Sequence, residues 1–165
     1  MESPDIWTLS LIDWQFFGTL TFKQMRLPER VRISMYFAAL REFASLYRVY
    51  FPKLLWCLRF EKGEATGRPH FHYLLAGLPR QGMNIASNFC QMEQWELQRG
   101  GMARVHLFDQ RLNGVGYITK CLGESSELGG DIYESSKFGG GHCALMLSHS
   151  AGKVIQREAI RQRGR

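Results

Sequence analysis

Gly67-Arg68-Pro69-His70-Phe71-His72-Tyr73-Leu74-Leu75 is the stretch that decides the fold. Its aromatic and apolar residues after Pro69 read as a β-strand, in which side chains two apart share a face. His70 and His72 then point one way, and Phe71, Tyr73 and Leu75 the other. Just upstream, Leu54 to Glu61 repeats the pattern: Leu54, Trp56, Leu58 and Phe60 oppose Cys57, Arg59 and Glu61. The polar, glycine-containing segment Lys62 to Arg68 joins the two strands, so a hairpin is predicted.

The same alternation extends outward. Phe16-Phe17-Gly18-Thr19-Leu20-Thr21-Phe22 reads as a first strand, with Leu20 and Phe22 opposing Thr19 and Thr21. Pro28 suits the first turn of a helix running through Tyr50, whose apolar stripe would be Val31, Met35, Ala38, Ala39, Phe43 and Leu46, with Pro52 as the break. Past the Pro79–Gly82 breaker, a second helix is expected over Met83 to Gln98, closed by Gly100-Gly101. A fourth strand, Ala103 to Asp109, places Val105 and Leu107 opposite Arg104 and His106. A helix from about Arg111 to Leu122 follows, with Val115, Ile118 and Leu122 as its buried stripe. Glycines at 129–130 and 139–141 bracket a loop or hairpin before a last strand at His142 to Leu147.

An α+β fold is therefore expected: an antiparallel sheet of about five strands in ferredoxin-like or RRM-like βαββαβ order. Two helices would cover its apolar face, and a tyrosine-bearing helix would lie near the open, polar face. Burying that polar set without partners would cost on the order of 1–3 kcal/mol per group, so it must be solvated, paired or a site. Residues 1–150 are expected to form one domain, with 151–165 as a basic tail that is an amphipathic helix or frays.

Bulk composition sets the outer bounds. A 165-residue chain that is 45% hydrophobic and 13% aromatic folds around a core rather than staying disordered. The net charge of +6 hints at a polyanionic partner. Much of it is terminal: the last fifteen residues hold five basic side chains against Glu158, a net +4, so residues 1–150 carry only +2 of the +6. The cysteines (57, 90, 121 and 143) form no CxxC pair, and free thiols in a reducing compartment are expected. Gly141-His142-Cys143 with His149 matches no standard zinc module. No membrane-crossing apolar run and no GxxxxGK[ST] phosphate loop occur.

On the polar face, Glu61 ends its strand across the turn from His70. With His70 and His72 it makes a three-ligand set that leaves coordination positions open for water and substrate. Glu64, in the turn, is the competing third ligand, and a metal-free cross-strand polar pair is the bland alternative. Tyr117 and Lys120, three apart, are neighbours on a helix. A metal and an ammonium beside the phenol would favour nucleophilic attack; a core tyrosine with a solvated lysine is the alternative.

Taken together, Phe17-Gly18-Thr19-Leu20-Thr21-Phe22, Pro69-His70-Phe71-His72 and Tyr117-Ile118-Thr119-Lys120 resemble, in order, three motifs of the HUH endonucleases. The likeness is to the single-tyrosine rolling-circle replication initiators and covers roughly residues 15 to 125. It implies a divalent ion, Mg or Mn, held by Glu61, His70 and His72, with Tyr117 as nucleophile and Lys120 steadying the phosphate. The implied reaction nicks single-stranded origin DNA, hairpins included, leaves a 5′-phosphotyrosine link, and rejoins the strand. Thr19, Thr21, Arg59, Arg68, Arg104 and His106 are the candidate DNA contacts. A host or separate helicase would unwind the duplex, with no small-molecule cofactor and no membrane partner. The expected compartment is the cytoplasm for a plasmid or phage protein, or the nucleus for a eukaryotic virus. Rival readings are an HUH-type transposase and a non-catalytic RRM-like nucleic-acid-binding module.

Overall fold

The computed structural model describes residues 8–62, 66–119 and 143–164, with residues 143 and 144 described by backbone alone. In chain order the elements are β1 (Phe16–Phe22), α1 (Glu29–Leu46), β2 (Leu55–Lys62), β3 (Pro69–Ala76), α2 (Ile85–Leu97), β4 (Gly100–Leu107), α3 (Gly114–Thr119), β5 (Cys143–Leu147) and α4 (His149–Arg163). The fold is α+β, built on one five-stranded sheet of order β4-β1-β3-β2-β5 in which every pairing is antiparallel.

The helix-covered face follows directly from period-two alternation. Phe16, Leu20 and Phe22 of β1, Trp56 and Leu58 of β2, and Phe71, Tyr73 and Leu75 of β3 bury against α1 and α2. Gly18 lies opposite Tyr73 in register, and a Cβ there would fall 2.1 Å from the tyrosine ring. Its lack of a side chain lets the ring lie flat over β1 and donate its hydroxyl to Gln91 of α2 at 2.8 Å. Gly100 serves Trp95 similarly: the indole occupies the space of a Cβ and donates to the Thr21 carbonyl at 3.1 Å.

Helix ends differ from the sequence expectations for local reasons. Pro28 is the N-cap of α1, and the helix stops at Leu46, where Arg48 turns left-handed (φ 54°) and Val49 donates back to the Ala44 carbonyl. The buried stripe is Tyr36, Ala39, Leu40, Phe43 and Ala44, one position round from the expected one, leaving Val31 and Leu46 exposed. Asn84 and Ser87 form a reciprocal capping box at the start of α2. Arg99, at φ 59°, ends the connection, so both glycines after it belong to β4.

The opposite face is not the open surface expected. Its far half carries a second apolar cluster of Trp14, Cys57, Leu74, Ala76, Val115, Ile118, Leu145, Leu147, Ala151 and Ile155. Beyond His72, β3 continues the histidine face with Leu74 and Ala76, and these need cover. Segment 8–14, α3 and α4 supply it. The expected boundary at 151 therefore falls in the first turn of α4, whose Ala151, Gly152 and Ile155 are buried. Ser148 caps that helix by accepting from the Ala151 N–H at 3.2 Å.

Candidate metal centre and tyrosine

Cross-strand register builds the site. Directly opposed residues in antiparallel strands share a face, so the non-α1/α2 face can be read in rows across the sheet. Phe17, Leu74, Cys57 and Leu147 make an apolar row, and Thr19, His72, Arg59 and Leu145 the next. Thr21, His70 and Glu61 make the third. Polarity thus rises along the strands, and the site lies where the second core gives way to polar rows.

Glu61, His70 and His72 are the one group of three or more candidate metal ligands among the described residues, their ligand atoms all within 4.8 Å of one another. Glu61 Oε2 is 3.5 Å from His70 Nε2 and 3.4 Å from His72 Nε2. Both imidazoles are braced from behind. His70 Nδ1 lies 3.2 Å from the Arg68 carbonyl, an acceptor, so Nδ1 carries a proton and Nε2 faces Glu61. His72 Nδ1 lies 2.9 Å from the Thr19 hydroxyl. Burial, with like-charge repulsion from His70 and Arg59, pushes His72 down to about 3, so it is a neutral ligand at neutral pH.

Two atoms identify what the set lacks. Glu61 Oε2 and His72 Nε2 are shut off from solvent with no hydrogen-bond partner. Arg59 Nη2 lies 3.1 Å from that same oxygen, an ion pair by distance whose N–H is not aimed at it. Two imidazole nitrogens and a carboxylate oxygen that converge without a hydrogen bond between them suit a divalent cation, and the residues fit one.

Tyr117 stands beside this set on α3, 45% exposed. Its ring meets that of His72 edge-on, centroids 4.8 Å apart at 85°. Phe17 stacks on His72 at 6.0 Å and 23° and meets Tyr117 edge-on at 6.2 Å, walling the site on the core side. The Arg59 guanidinium lies 5.6 Å from the Tyr117 ring centroid. The helix begins later than expected because Gln110–Leu112 form a 3-10 turn, and left-handed Asn113 (φ 52°) separates it from α3. Val115 and Ile118 are buried as expected.

The other candidates divide. Thr19 braces His72, while Thr21 donates to the Met102 carbonyl at 3.1 Å. Arg59 is only 4% exposed and is engaged inside the site, not on the surface. Arg68, Arg104 and His106 are exposed, and Arg104 pairs with Thr19 in the His72 row. Lys120, Glu64 and Leu122 lie outside the described residues. Sequence reasoning did not single out Phe17 as a wall of the site, although alternation with Thr19 and Thr21 places it on that face. Cys57 and Cys90 are free thiols, and among the described residues no helix is long and apolar enough to cross a membrane.

No family model matches the chain, and no curated protein or solved structure matches it at a significant level.

Proposed function

We propose that this chain is a metal-dependent single-stranded DNA nicking and joining endonuclease of the HUH type, initiating rolling-circle replication with Tyr117 as nucleophile. The observation that carries it is the 4.8 Å edge-on approach of the half-exposed Tyr117 ring to His72, a member of the one candidate ligand triad. The finer fold reading, βαββαβ order of the ferredoxin or RRM kind with the tyrosine helix at the metal-binding face, belongs to the same proposal.

Glu61 Oε2, His70 Nε2 and His72 Nε2 would hold Mg or Mn, which when bound supplies Lewis-acid polarisation of a phosphoryl oxygen. The Tyr117 phenol oxygen attacks the scissile phosphorus. A tyrosyl O–P bond forms as the bond to the 3′ oxygen breaks, and the phenolic proton ends on solvent or on the departing 3′ oxygen. Attack by that 3′ hydroxyl, or by another, reverses the exchange and rejoins the strand. Thr19 and the Arg68 carbonyl keep the two imidazoles oriented. Arg104 and His106, exposed on β4, would take backbone phosphates, and Lys120 would steady the reacting one.

The RRM-like alternative needs sheet aromatics on which bases stack. Phe71 and Tyr73 are 1% and 3% exposed beneath α1 and α2, so they offer no such platform. The test incubates the protein with Mn2+ and a scanned set of single-stranded oligonucleotides, then runs a denaturing gel. An adduct should survive denaturation in the wild type and be absent in Tyr117→Phe. An equal adduct in the variant would sink the assignment.

A further inference from the structure

Arg59 follows from the same alternation as Glu61, two residues earlier on the same face of β2, yet it does not behave as a surface cation. It is buried, and its guanidinium reaches two elements at once. Nη1 donates to the main-chain carbonyl of Tyr117, and Nη2 lies 3.1 Å from the Glu61 carboxylate. The guanidinium also lies 5.6 Å from the centre of the Tyr117 ring.

The Tyr117 carbonyl lies near the end of the described part of α3, and it accepts from Arg59 Nη1. A guanidinium on that carbonyl anchors the backbone of Tyr117 to β2. The planar fork of arginine suits this task because its two nitrogens diverge at a fixed angle; a lysine could serve one partner or the other.

We infer that Arg59 is a positioning residue: it ties the carboxylate of the candidate metal set to the backbone of Tyr117 and so sets the distance between them. The inference rests on the endonuclease reading for its kinetic consequence, although the tie itself does not. Arg59 then contributes to the rate of bond exchange and not to DNA affinity, because a residue so deeply buried meets no phosphate.

The experiment compares the full-length wild type with Arg59→Lys, which keeps charge and one donor, and Arg59→Met, which keeps only bulk. Each carries 3-fluorotyrosine at position 117. The readouts are the melting temperature, the 19F resonance of residue 117, oligonucleotide Kd as a function of salt, and the single-turnover adduct rate at saturating Mn2+ and DNA. In Arg59→Lys the 19F line should shift or broaden and the saturated rate fall by about 10–100-fold, the usual cost of losing a supporting partner. Oligonucleotide Kd and its salt slope should stay at the wild-type values. Should Arg59→Met fail to fold, the lysine variant decides alone. An unchanged 19F line with an unchanged rate would overturn the inference. So would a salt slope lowered by about one with the saturated rate intact, since that marks a phosphate contact. If the wild type forms no adduct with any oligonucleotide, the endonuclease reading fails, and the 19F comparison by itself still decides whether Arg59 holds Tyr117.

Discussion

Adding a divalent ion should raise the melting temperature of the wild type, and replacing His72 with alanine should remove most of that rise. Glu61 Oε2 and His72 Nε2 are enclosed without a hydrogen-bond partner, and each such atom costs up to about 1–3 kcal/mol, less for the oxygen that Arg59 faces. A cation seated between them satisfies both. Binding to the folded chain alone, at a hundredfold excess over Kd, contributes about 2.7 kcal/mol. For a chain of 165 residues each kcal/mol moves the midpoint by about 2–4 °C, so the rise should be about 5–11 °C. Arg59 opposes the cation by charge, which weakens Kd without changing the increment at a fixed multiple of it. The assay is thermal unfolding in chelator and across a Mn2+ titration, with the ion's binding followed independently so that excess is expressed in units of Kd. His72→Ala loses one of three ligands, and its metal-dependent rise should fall to under about 2 °C at the wild-type Mn2+ concentration. A wild-type midpoint that does not move with Mn2+, or an equal rise in His72→Ala, would refute the identification of the triad as a metal set.

Thr19→Val keeps the shape of the side chain but removes the oxygen 2.9 Å from His72 Nδ1; Mn2+ affinity by electron paramagnetic resonance should weaken about 10–100-fold, with the adduct assay following it. His72 supplies a pH dependence in chelator. Its folded-state value of about 3 lies below the ordinary 6.5, so the unfolded chain takes up the proton first. Stability is complete above about 6.5 and falls toward 3 by at most about 1.4 kcal/mol per pH unit, a slope that His72→Asn should flatten in denaturant titrations. Ile155→Ala should cost about 2–5 kcal/mol by chemical denaturation, because Ile155 is fully enclosed in the second core; a loss below about 0.5 kcal/mol would mean that α4 is a loose tail after all.

The strands and the ligand triad were legible in the sequence because one rule, alternation, controls both. It separates Phe71 and Tyr73 from His70 and His72, and pairs Glu61 with His70 across the hairpin. What was not legible depends on contacts between distant segments. Alternation put Leu74 on the histidine face, but which segment would cover it is a tertiary matter, answered by Val115, Ile118 and Ile155. Helix ends turned on single left-handed residues, Arg48, Arg99 and Asn113, whose side chains carry no strong signal for that conformation except the asparagine. Arg59 looked like a phosphate contact because its charge was visible and its burial was not.

The half-covered face explains why the site is where it is. Had the whole face been open, His72 would be solvated and Glu61 and His72 would have water as a partner. Had it been wholly covered, the Tyr117 ring would be enclosed as well. The second core thins past the row Phe17–Leu74–Cys57: in the next row Leu145 still belongs to it, but Thr19, His72 and Arg59 do not. There the surroundings are dry enough to keep an imidazole neutral, while the neighbouring phenol remains 45% exposed. The apolar cluster beneath α3 and α4 thus helps to shape the candidate site. By anchoring Val115 and Ile118 it fixes the helix on which Tyr117 sits, and it stops short of His70.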